Sequence, residues 1–220
     1  MKKLLLRLFT GIIVAAILLG VTVWLTLLAS LPELDGALSV DGIDGAVTIE
    51  RDVDGIPTIR ASNRRDLAFA TGFVHGQDRF FQMDLIRRQA AGELSALFGA
   101  VAIDADKRNR FHRFRSRAQV IWEQTPDGER DLMDAYSAGV NAGLGSLDAR
   151  PWEYLLLRTA PEPWRPQDSL LVMYAMYMTL NDERASNEVR RGLAHSILPA
   201  EVYGWMLSLI HISEPTRPTR

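Results

Sequence analysis

The sequence predicts an α+β fold that is mostly α-helical, with one short β-hairpin after an N-terminal transmembrane helix. A run without charged residues, Leu8 to Leu31, opens the chain. Apolar residues then alternate on both sides of Asp54-Gly55, which predicts two short strands joined by a turn. From Asp66 onward the apolar residues recur at steps of three and four, which predicts a series of amphipathic helices.

The N-terminal run is long enough to cross a membrane. Its roughly two dozen residues span about 36 Å as a helix, and a bilayer core is about 30 Å thick. Lys2, Lys3 and Arg7 precede the run, so the positive-inside rule places them in the cytoplasm. We therefore interpret residues 1–31 as an uncleaved anchor in the inner membrane, with the bulk of the chain in the periplasm. A cleaved signal peptide is the alternative, although Ala29-Ser30 is a poor cleavage site.

Composition argues against several classes of protein. The chain has 220 residues, a net charge of −2 and a pI near 6.1, so we do not expect a nucleic-acid partner. It contains no cysteine, which excludes disulfides and thiolate metal sites. The four histidines do not form an H-x-x-x-H motif, and no G-x-S-x-G motif occurs, so neither a zinc protease nor an α/β-hydrolase triad is supported.

The segment after the anchor divides into a linker and a domain. Residues 32–46 (PELDGALSVDGIDGA) are rich in Asp-Gly and predict a linker with turns. Residues 47–206 form the predicted domain, and Gly99 is expected to end its first helical segment. Residues 207–220 resemble translated sequencing-adapter sequence, and two prolines there cannot continue a helix. We interpret them as a foreign tail, with a genuine disordered tail as the alternative.

Five further helices are predicted within the domain, and two of them are a short helix that opens at Pro151 and a helix that resumes at Glu188. The arginine-rich stretch that begins at residue 104 predicts one amphipathic helix with a basic face, either solvated beside local carboxylates, which we favour, or anion-binding. Thr125 is a plausible N-cap for the next helix, which Gly145 ends. The apolar helix Asp168 to Leu180 is too short to span a membrane, so we expect it to be buried in the core.

An ordered series of motifs runs through the hairpin and the helices that follow. They are Arg51-Asp52, Gly55-Ile56-Pro57-Thr58-Ile59, Asp66-Leu67, Gly72-Phe73, Gln77-Asp78-Arg79-Phe80-Phe81-Gln82-Met83, Arg87-Arg88, Gly92-Glu93-Leu94 and, further on, Tyr136-x-x-Gly-x-Asn-Ala. Each motif alone is weak, but the series at these spacings resembles the α chain of the penicillin acylase family of N-terminal nucleophile hydrolases.

The resemblance implies an αββα fold for the whole enzyme and hydrolysis of linear amide bonds in small N-acyl compounds, such as penicillins or acyl-homoserine lactones. In that family the nucleophile is the N-terminal serine of a β chain, which appears when the precursor cleaves itself. This chain is therefore expected to be inactive alone, to contain no catalytic residue and to pair with a β chain. Ser146 is interpreted as a loop serine, because Pro151 would interrupt the strand that a junction serine should open.

The same resemblance implies roles for three residues. Met178 and Asp182 are expected to contact the acyl group, where a thioether suits an apolar ligand. Penicillin G-type enzymes place an aromatic residue where this chain has Asp182, so a broader amidase is expected. Glu188 is expected to bind Ca²⁺, and no organic cofactor is expected. Met178 as a core residue and Glu188 as a helix-start residue remain alternatives. For the whole chain the alternative is an anchored helical binding module without catalysis.

Overall fold

The computed structural model of the chain describes residues 2–181 and 186–212 and is mostly helical, with one two-stranded sheet. It comprises two compact units, Met1–Ala175 and Met176–Arg220. In chain order the elements are α1 (Lys2–Ala29), β1 (Thr48–Arg51), β2 (Pro57–Arg60), α2 (Arg64–Ala91), α3 (Ser95–Phe98), a 3₁₀ turn (Gly99–Ala102), α4 (Ile103–Arg110), α5 (Phe114–Gln124), α6 (Asp127–Gly145), α7 (Trp152–Leu156), α8 (Pro166–Leu180), α9 (Ser186–Ile197) and α10 (Ala200–Ile212).

Helix α1 coincides with the predicted N-terminal span. Its segment Arg7–Ala29 has 23 residues and is long and apolar enough to cross a membrane, and it is not buried against the rest of the chain. A signal sequence has the same properties, so the uncleaved anchor stays a prediction. Helix α10 extends to Ile212, beyond the start of the predicted tail, and the foreign origin of residues 207–220 also stays a prediction.

The predicted hairpin is confirmed. Strands β1 and β2 pair antiparallel, with Ile49 opposite Ile59. The turn contains Gly55 at φ 77°, a conformation that glycine adopts without strain, as the Asp-Gly motif predicted. Arg51 makes a two-point ion pair with Asp78 of α2, both contacts at 2.9 Å. The hairpin is thereby fixed against the first long helix.

Helix α2 has a defined cap at each end. Asn63 is the N-cap, and its side chain accepts a hydrogen bond from the backbone N–H of Asp66 at 2.8 Å. Gly92, in the left-handed conformation, ends the helix, and the N–H of Glu93 donates to the Arg88 carbonyl as in a Schellman motif. The predicted helix stop at Gly99 is confirmed, since Gly99 is the C-cap of the short helix α3, which follows α2.

Helices α2 and α6 pack with their backbones in direct contact. Gly72 and Gly76 of α2 face α6, and Gly139 and Gly143 of α6 face α2. A Cβ atom added at any of these four positions would lie between 1.9 and 2.2 Å from a carbonyl oxygen of the opposing helix. Only glycine permits this approach, so the two small-x-x-x-small motifs determine how the pair packs.

Two predicted helix boundaries were wrong. The arginine-rich stretch forms two helices, α4 and α5, because the chain turns at Arg113, whose φ of 55° cannot belong to a right-handed helix. Thr125 is not the N-cap of α6: Pro126 occupies that position, and the Thr125 hydroxyl donates to the Ile121 carbonyl at 2.8 Å. The predicted end of α6 at Gly145 is confirmed.

The prediction that α8 is a buried core helix was also wrong. Asp168 and Leu171 are buried, but Met173 is 66% exposed and Leu180 is 77% exposed. An apolar sequence predicts that a helix will be covered but does not identify the segment that covers it.

In the second unit, α9 and α10 are in contact through an edge-to-face pair of His195 and Tyr203, with ring centroids 4.9 Å apart.

Candidate functional site

A group of buried charged side chains connects α2 to later segments of the chain. Asp84 is fully buried, and its Oδ1 atom accepts hydrogen bonds from Nε of Arg87 at 2.7 Å and Nε of Arg88 at 2.9 Å. Its Oδ2 atom accepts the phenolic hydrogen of Tyr154, from α7, at 2.7 Å. Both oxygens of this carboxylate are therefore satisfied by protein donors, as burial of a charge requires.

Asp168, at the start of α8, is the second buried carboxylate of this group. Its Oδ2 atom accepts from Nη1 of Arg87 at 2.5 Å and from the Arg165 N–H at 2.8 Å, and its Oδ1 atom accepts from Nη1 of Arg115 at 2.8 Å. Arg115 also makes a two-point contact with Glu93. We refer to Asp84, Arg87, Arg88, Glu93, Arg115 and Asp168 as the buried charge network, in which Arg115 and Glu93 are partly exposed, at 34% and 32%. It joins α2, α5 and α8.

Burial and neighbouring charge act in opposite directions on this network. Burial by itself lowers the pKa of Arg88 and Arg115, but the carboxylates beside them more than offset this, and both pKa values lie above the ordinary value for arginine. Burial also raises the pKa of Tyr154, so that its hydroxyl remains a donor to Asp84. These groups keep one protonation state near neutral pH, which suits a structural role better than proton transfer.

The arginines of the network are matched by carboxylates of the chain itself. Arg87 and Arg88 face Asp84, Arg115 faces Glu93 and Asp168, and Nη2 of Arg88 lies 3.3 Å from a Glu162 oxygen. Within the described residues the network therefore does not present an unmatched positive charge to a ligand. For Arg115 this favours pairing with local carboxylates, as predicted, over the alternative of an anion-binding surface.

A cavity of about 560 Å³ lies beside the network, in the first unit. Its lining side chains come from α2, α6, α8 and the segment before α8, and they are mainly apolar. They are His75, Arg79, Met83, Leu132, Met133, Tyr136, Trp164, Ser169 and Val172. The volume falls within the range of about 300–1,000 Å³ that is typical of small-molecule pockets. The cavity can therefore hold an apolar group of moderate size.

Four polar side chains of the cavity are paired with one another, and Arg79 donates instead to Gln82 at 3.3 Å. Nδ1 of His75 lies 2.9 Å from the Tyr136 hydroxyl, and the Trp164 indole N–H donates to the Ser169 hydroxyl at 3.2 Å. Partial desolvation lowers the pKa of His75, although part of its side chain is exposed, and burial raises the pKa of Tyr136 to about 12. A neutral imidazole beside a neutral phenol can orient a ligand by hydrogen bonding, but it does not supply an ionised nucleophile at neutral pH.

Two of the three residues predicted to form the site, Met178 and Glu188, lie in the second unit, whereas the residues that line this cavity belong to the first. Met178 is half-buried near the end of α8, and Glu188 is exposed in the first turn of α9. Asp182 lies outside the described residues, so its predicted contact with the acyl group stays a prediction. The roles of Met178 and Glu188 likewise stay predictions.

Two other predicted features can be located. Ser146 is the C-cap of α6, and its hydroxyl donates to the Gly143 carbonyl at 2.8 Å and accepts from Gln77 at 3.1 Å, as expected of a loop serine with a local structural role. Within residues 2–181 and 186–212, no group of three or more His, Asp or Glu side chains could hold a metal ion. Glu188 would therefore need further ligands from outside the described residues.

Sequence reasoning recognised parts of the buried charge network as motifs but did not identify their chemistry. The doublet Arg87-Arg88 follows Asp84 by three and four residues, a spacing that brings helical side chains together, and this signal was available. Asp168 lies 81 residues after Arg87, and no local pattern relates the two. The cavity also could not be predicted, because α2, α6 and α8 contribute to it from distant parts of the chain.

Comparison with protein families identifies relatives of this chain. A family model described as Penicillin amidase matches residues 46–208. The Penicillin acylase 2 proenzyme of Pseudomonas sp. (strain SE83) is 44% identical over 145 residues, which cover 66% of this chain and 19% of the relative. The Acyl-homoserine lactone acylase QuiP of Pseudomonas aeruginosa is 32% identical over 162 residues, which cover 71% of this chain and 19% of the relative.

Comparison with solved structures finds a penicillin acylase with a similar fold. The thermostable Penicillin G acylase from Alcaligenes faecalis matches with a TM-score of 0.57 at 24% sequence identity, and the match covers 80% of this chain and 96% of that chain. At this identity the match is evidence for the fold alone. The chain spans about a fifth of the length of the curated relatives named above, 19% in each case.

Proposed function

The chain belongs to the penicillin amidase family, and we propose on this premise that it is the α-chain part of an amidohydrolase that hydrolyses the amide bond of small N-acyl compounds. The observation that supports this most strongly is the family match over residues 46–208, together with 44% identity to a penicillin acylase proenzyme. The names of the relatives indicate two substrate classes, penicillins and acyl-homoserine lactones. Either is compatible with our proposal.

In the proposed mechanism the reacting groups belong to a β chain of the same precursor, and the whole enzyme has the αββα fold. Self-cleavage exposes an N-terminal serine, whose hydroxyl attacks the amide carbon while its own α-amine accepts the proton. The amine product leaves, and water then hydrolyses the acyl-serine. This chain contributes binding surface and structural support. The proenzyme named among the relatives supports synthesis as a precursor.

We assign the acyl-binding contribution of this chain to Met178 and Asp182. Met178 is half-buried, and a flexible thioether adapts to apolar groups of different shape. Glu188 is proposed as one ligand of a Ca²⁺ ion, whose other ligands come from the β chain, because calcium takes six to eight oxygen ligands. The exposure of the Glu188 carboxylate in the first turn of α9 is compatible with this role.

The exposed apolar side chains of α8 support the proposed pairing with a β chain. Met173, Met176 and Tyr177 are each more than half exposed, and Leu180 is 77% exposed. A soluble protein seldom leaves such a row of apolar side chains in water, because burying it is favourable by roughly 25 cal/mol for each Å². We propose that the β chain covers this helix and that α1 anchors the two-chain enzyme, with its bulk in the periplasm.

The proposal is tested by expressing the precursor with the reading frame continued beyond residue 206. We expect gel electrophoresis to show two chains, and the purified product to hydrolyse amides in a panel of penicillins and acyl-homoserine lactones. The 220-residue chain alone should release no amine from any of these compounds. A continued precursor that neither cleaves nor hydrolyses the panel, or activity in the 220-residue chain, would contradict the proposal and favour a binding module.

The site residues are tested in the same whole enzyme. Met178→Ala should change KM for long-chain against short-chain acyl substrates, whereas Met176→Ala, which alters an exposed methionine of the same helix, should not change this preference. Glu188→Gln should reduce the gain in melting temperature that added Ca²⁺ produces, and Glu201→Gln, in the first turn of α10, should leave it unchanged. Equal effects of a variant and its control would contradict the corresponding assignment.

A further inference from the structure

The end of α1 is hydrogen-bonded to the loop that precedes α7. The backbone N–H of Ala149 donates to the carbonyl of Ala29 at 2.9 Å, and the Ser30 hydroxyl is shared between the carbonyl of Thr26 at 3.0 Å and the carbonyl of Arg150 at 3.1 Å. Ala29 is the last residue of the segment that is long enough to cross a membrane. These two contacts place the loop at residues 149–150 beside the point where the proposed anchor leaves the bilayer.

Helix α7 starts two residues later and has two different faces. Tyr154 is fully buried, packs edge-to-face on Phe81 with ring centroids 5.2 Å apart, and donates to Asp84. Trp152 and Leu156 lie one turn apart on the other side, 46% and 73% exposed. Spacing of four residues puts these two side chains on one strip of the helix surface. The buried charge network thus fixes the inner face, and the outer face presents an apolar pair to solvent.

Chain geometry limits how far this pair can be from the membrane. Trp152 is the third residue after Ala149, so their Cα atoms are at most about 11 Å apart. The polar layer on each side of the bilayer core is about 5–8 Å thick, and tryptophan is enriched in that layer because its ring is apolar and its N–H is polar. Arg150 and Arg158, on either side of α7, are also exposed, and arginine can direct its charge to lipid headgroups.

We propose that the outer face of α7, formed by Trp152 and Leu156, lies in the headgroup layer of the membrane in which α1 is anchored. The contact orients the domain relative to the bilayer, because α7 is fixed to α2 through Tyr154 and Asp84. This inference rests on the proposed anchor. The occupant of this surface is lipid rather than a protein segment, because the surface is continuous with the end of the membrane span through the two hydrogen bonds to residues 149 and 150.

The chain contains no cysteine, so single spin labels can be placed without background. The 220-residue chain is reconstituted in phosphatidylcholine vesicles with a label at Trp152→Cys or Leu156→Cys. The accessibility of each label to oxygen, which concentrates in lipid, is compared with its accessibility to a water-soluble nickel complex. Glu129→Cys is the aqueous control: it is exposed in the first turn of α6, about 24 Å of helix before Gly145. Ile17→Cys, in the middle of α1, is the lipid control.

We expect the ratio of oxygen to nickel accessibility at positions 152 and 156 to be several-fold higher than at position 129, and lower than at position 17. A ratio at 152 and 156 equal to that at 129 would overturn the inference while leaving the anchor intact. Low accessibility to both reagents would show that protein covers the surface, and would overturn it as well. If the label at Ile17→Cys is itself open to the nickel complex, the anchor is not in the membrane and the proposed location fails first.

Discussion

The substitution Gly139→Ala tests whether glycine is required where α2 and α6 pack with their backbones in contact. A Cβ atom at this position would lie 1.9 Å from the carbonyl oxygen of Phe69 and 2.7 Å from its carbonyl carbon. A close carbon–oxygen contact needs about 3.3 Å, so the two helices would have to separate locally by about 1.4 Å. Both partners are backbone, and neither can rotate away as a flexible side chain could.

The expected loss follows from two opposing terms. Overpacking costs about 1–3 kcal/mol, and a clash between two backbones belongs at the upper end of that range. Alanine in place of glycine in a helix is favourable by about 1 kcal/mol. The net prediction for Gly139→Ala is a decrease of about 2 kcal/mol in the free energy of unfolding, which is a large fraction of the 5–15 kcal/mol that is typical for a domain.

Urea unfolding of the detergent-solubilised chain, followed by far-UV circular dichroism, measures this change. The matched control is Gly128→Ala on the same helix, where an added Cβ meets nothing within 4 Å. The control should be neutral or stabilising, by up to about 1 kcal/mol. The reasoning is refuted if Gly139→Ala is as stable as the unmodified chain, or if both substitutions destabilise it equally.

Three further predictions concern the titratable side chains Asp168, Asp66 and His75. Asp168→Asn should lower the free energy of unfolding by about 3 kcal/mol or more, because two arginines lose their carboxylate partner. The control Asp104→Asn, at a side chain that is 87% exposed, should change the free energy of unfolding by less than about 0.5 kcal/mol. Hydrogen bonds from the Asp44 N–H and other donors lower the pKa of Asp66 despite its burial. The contribution of the Asp66 carboxylate to stability is therefore complete above about pH 4 and is lost as the pH falls below that value. Asp66→Asn should reduce this acid-induced loss of stability. Partial desolvation lowers the pKa of His75, so NMR titration should find this pKa below the ordinary value of about 6.5.

Each of these predictions has an outcome that would contradict it. Equal urea midpoints for Asp168→Asn and Asp104→Asn would show that the buried charge network does not stabilise the fold. Identical acid-unfolding curves for Asp66→Asn and the unmodified chain would remove the role of the Asp66 hydrogen bonds. A His75 titration at or above the ordinary imidazole pKa would mean that this ring is not desolvated beside the cavity.

The elements that the sequence predicted correctly depend on short-range rules. The hairpin follows from alternation around Asp54-Gly55, because a residue that must adopt positive φ favours glycine. The end of α6 at Gly145 follows from the preference of helices to stop at glycine. The break at Arg113 could not be predicted in this way, since an arginine at positive φ contradicts its own local preference and occurs only where surrounding contacts impose it.

The family motifs are a second kind of sequence information, because they predicted the fold and the reaction class without any knowledge of tertiary contacts. The buried charge network shows what they omit. The doublet Arg87-Arg88 could be read as a motif, but its partner Asp168 could be identified only in three dimensions. Likewise, the apolar composition of α8 predicted burial, and the structure instead leaves Met173 and Leu180 exposed.

By itself, the sequence determined the hairpin, the end of α6, the apolar N-terminal helix and the family. Each of these depends on residues close together in the chain or on a fixed series of motifs. Tertiary structure decided which glycines bring α2 and α6 into contact, which carboxylates neutralise the arginines, and which face of α7 points outward beside the end of α1. The physical reason is that burial and ion pairing act between segments tens of residues apart, whose proximity no local pattern records.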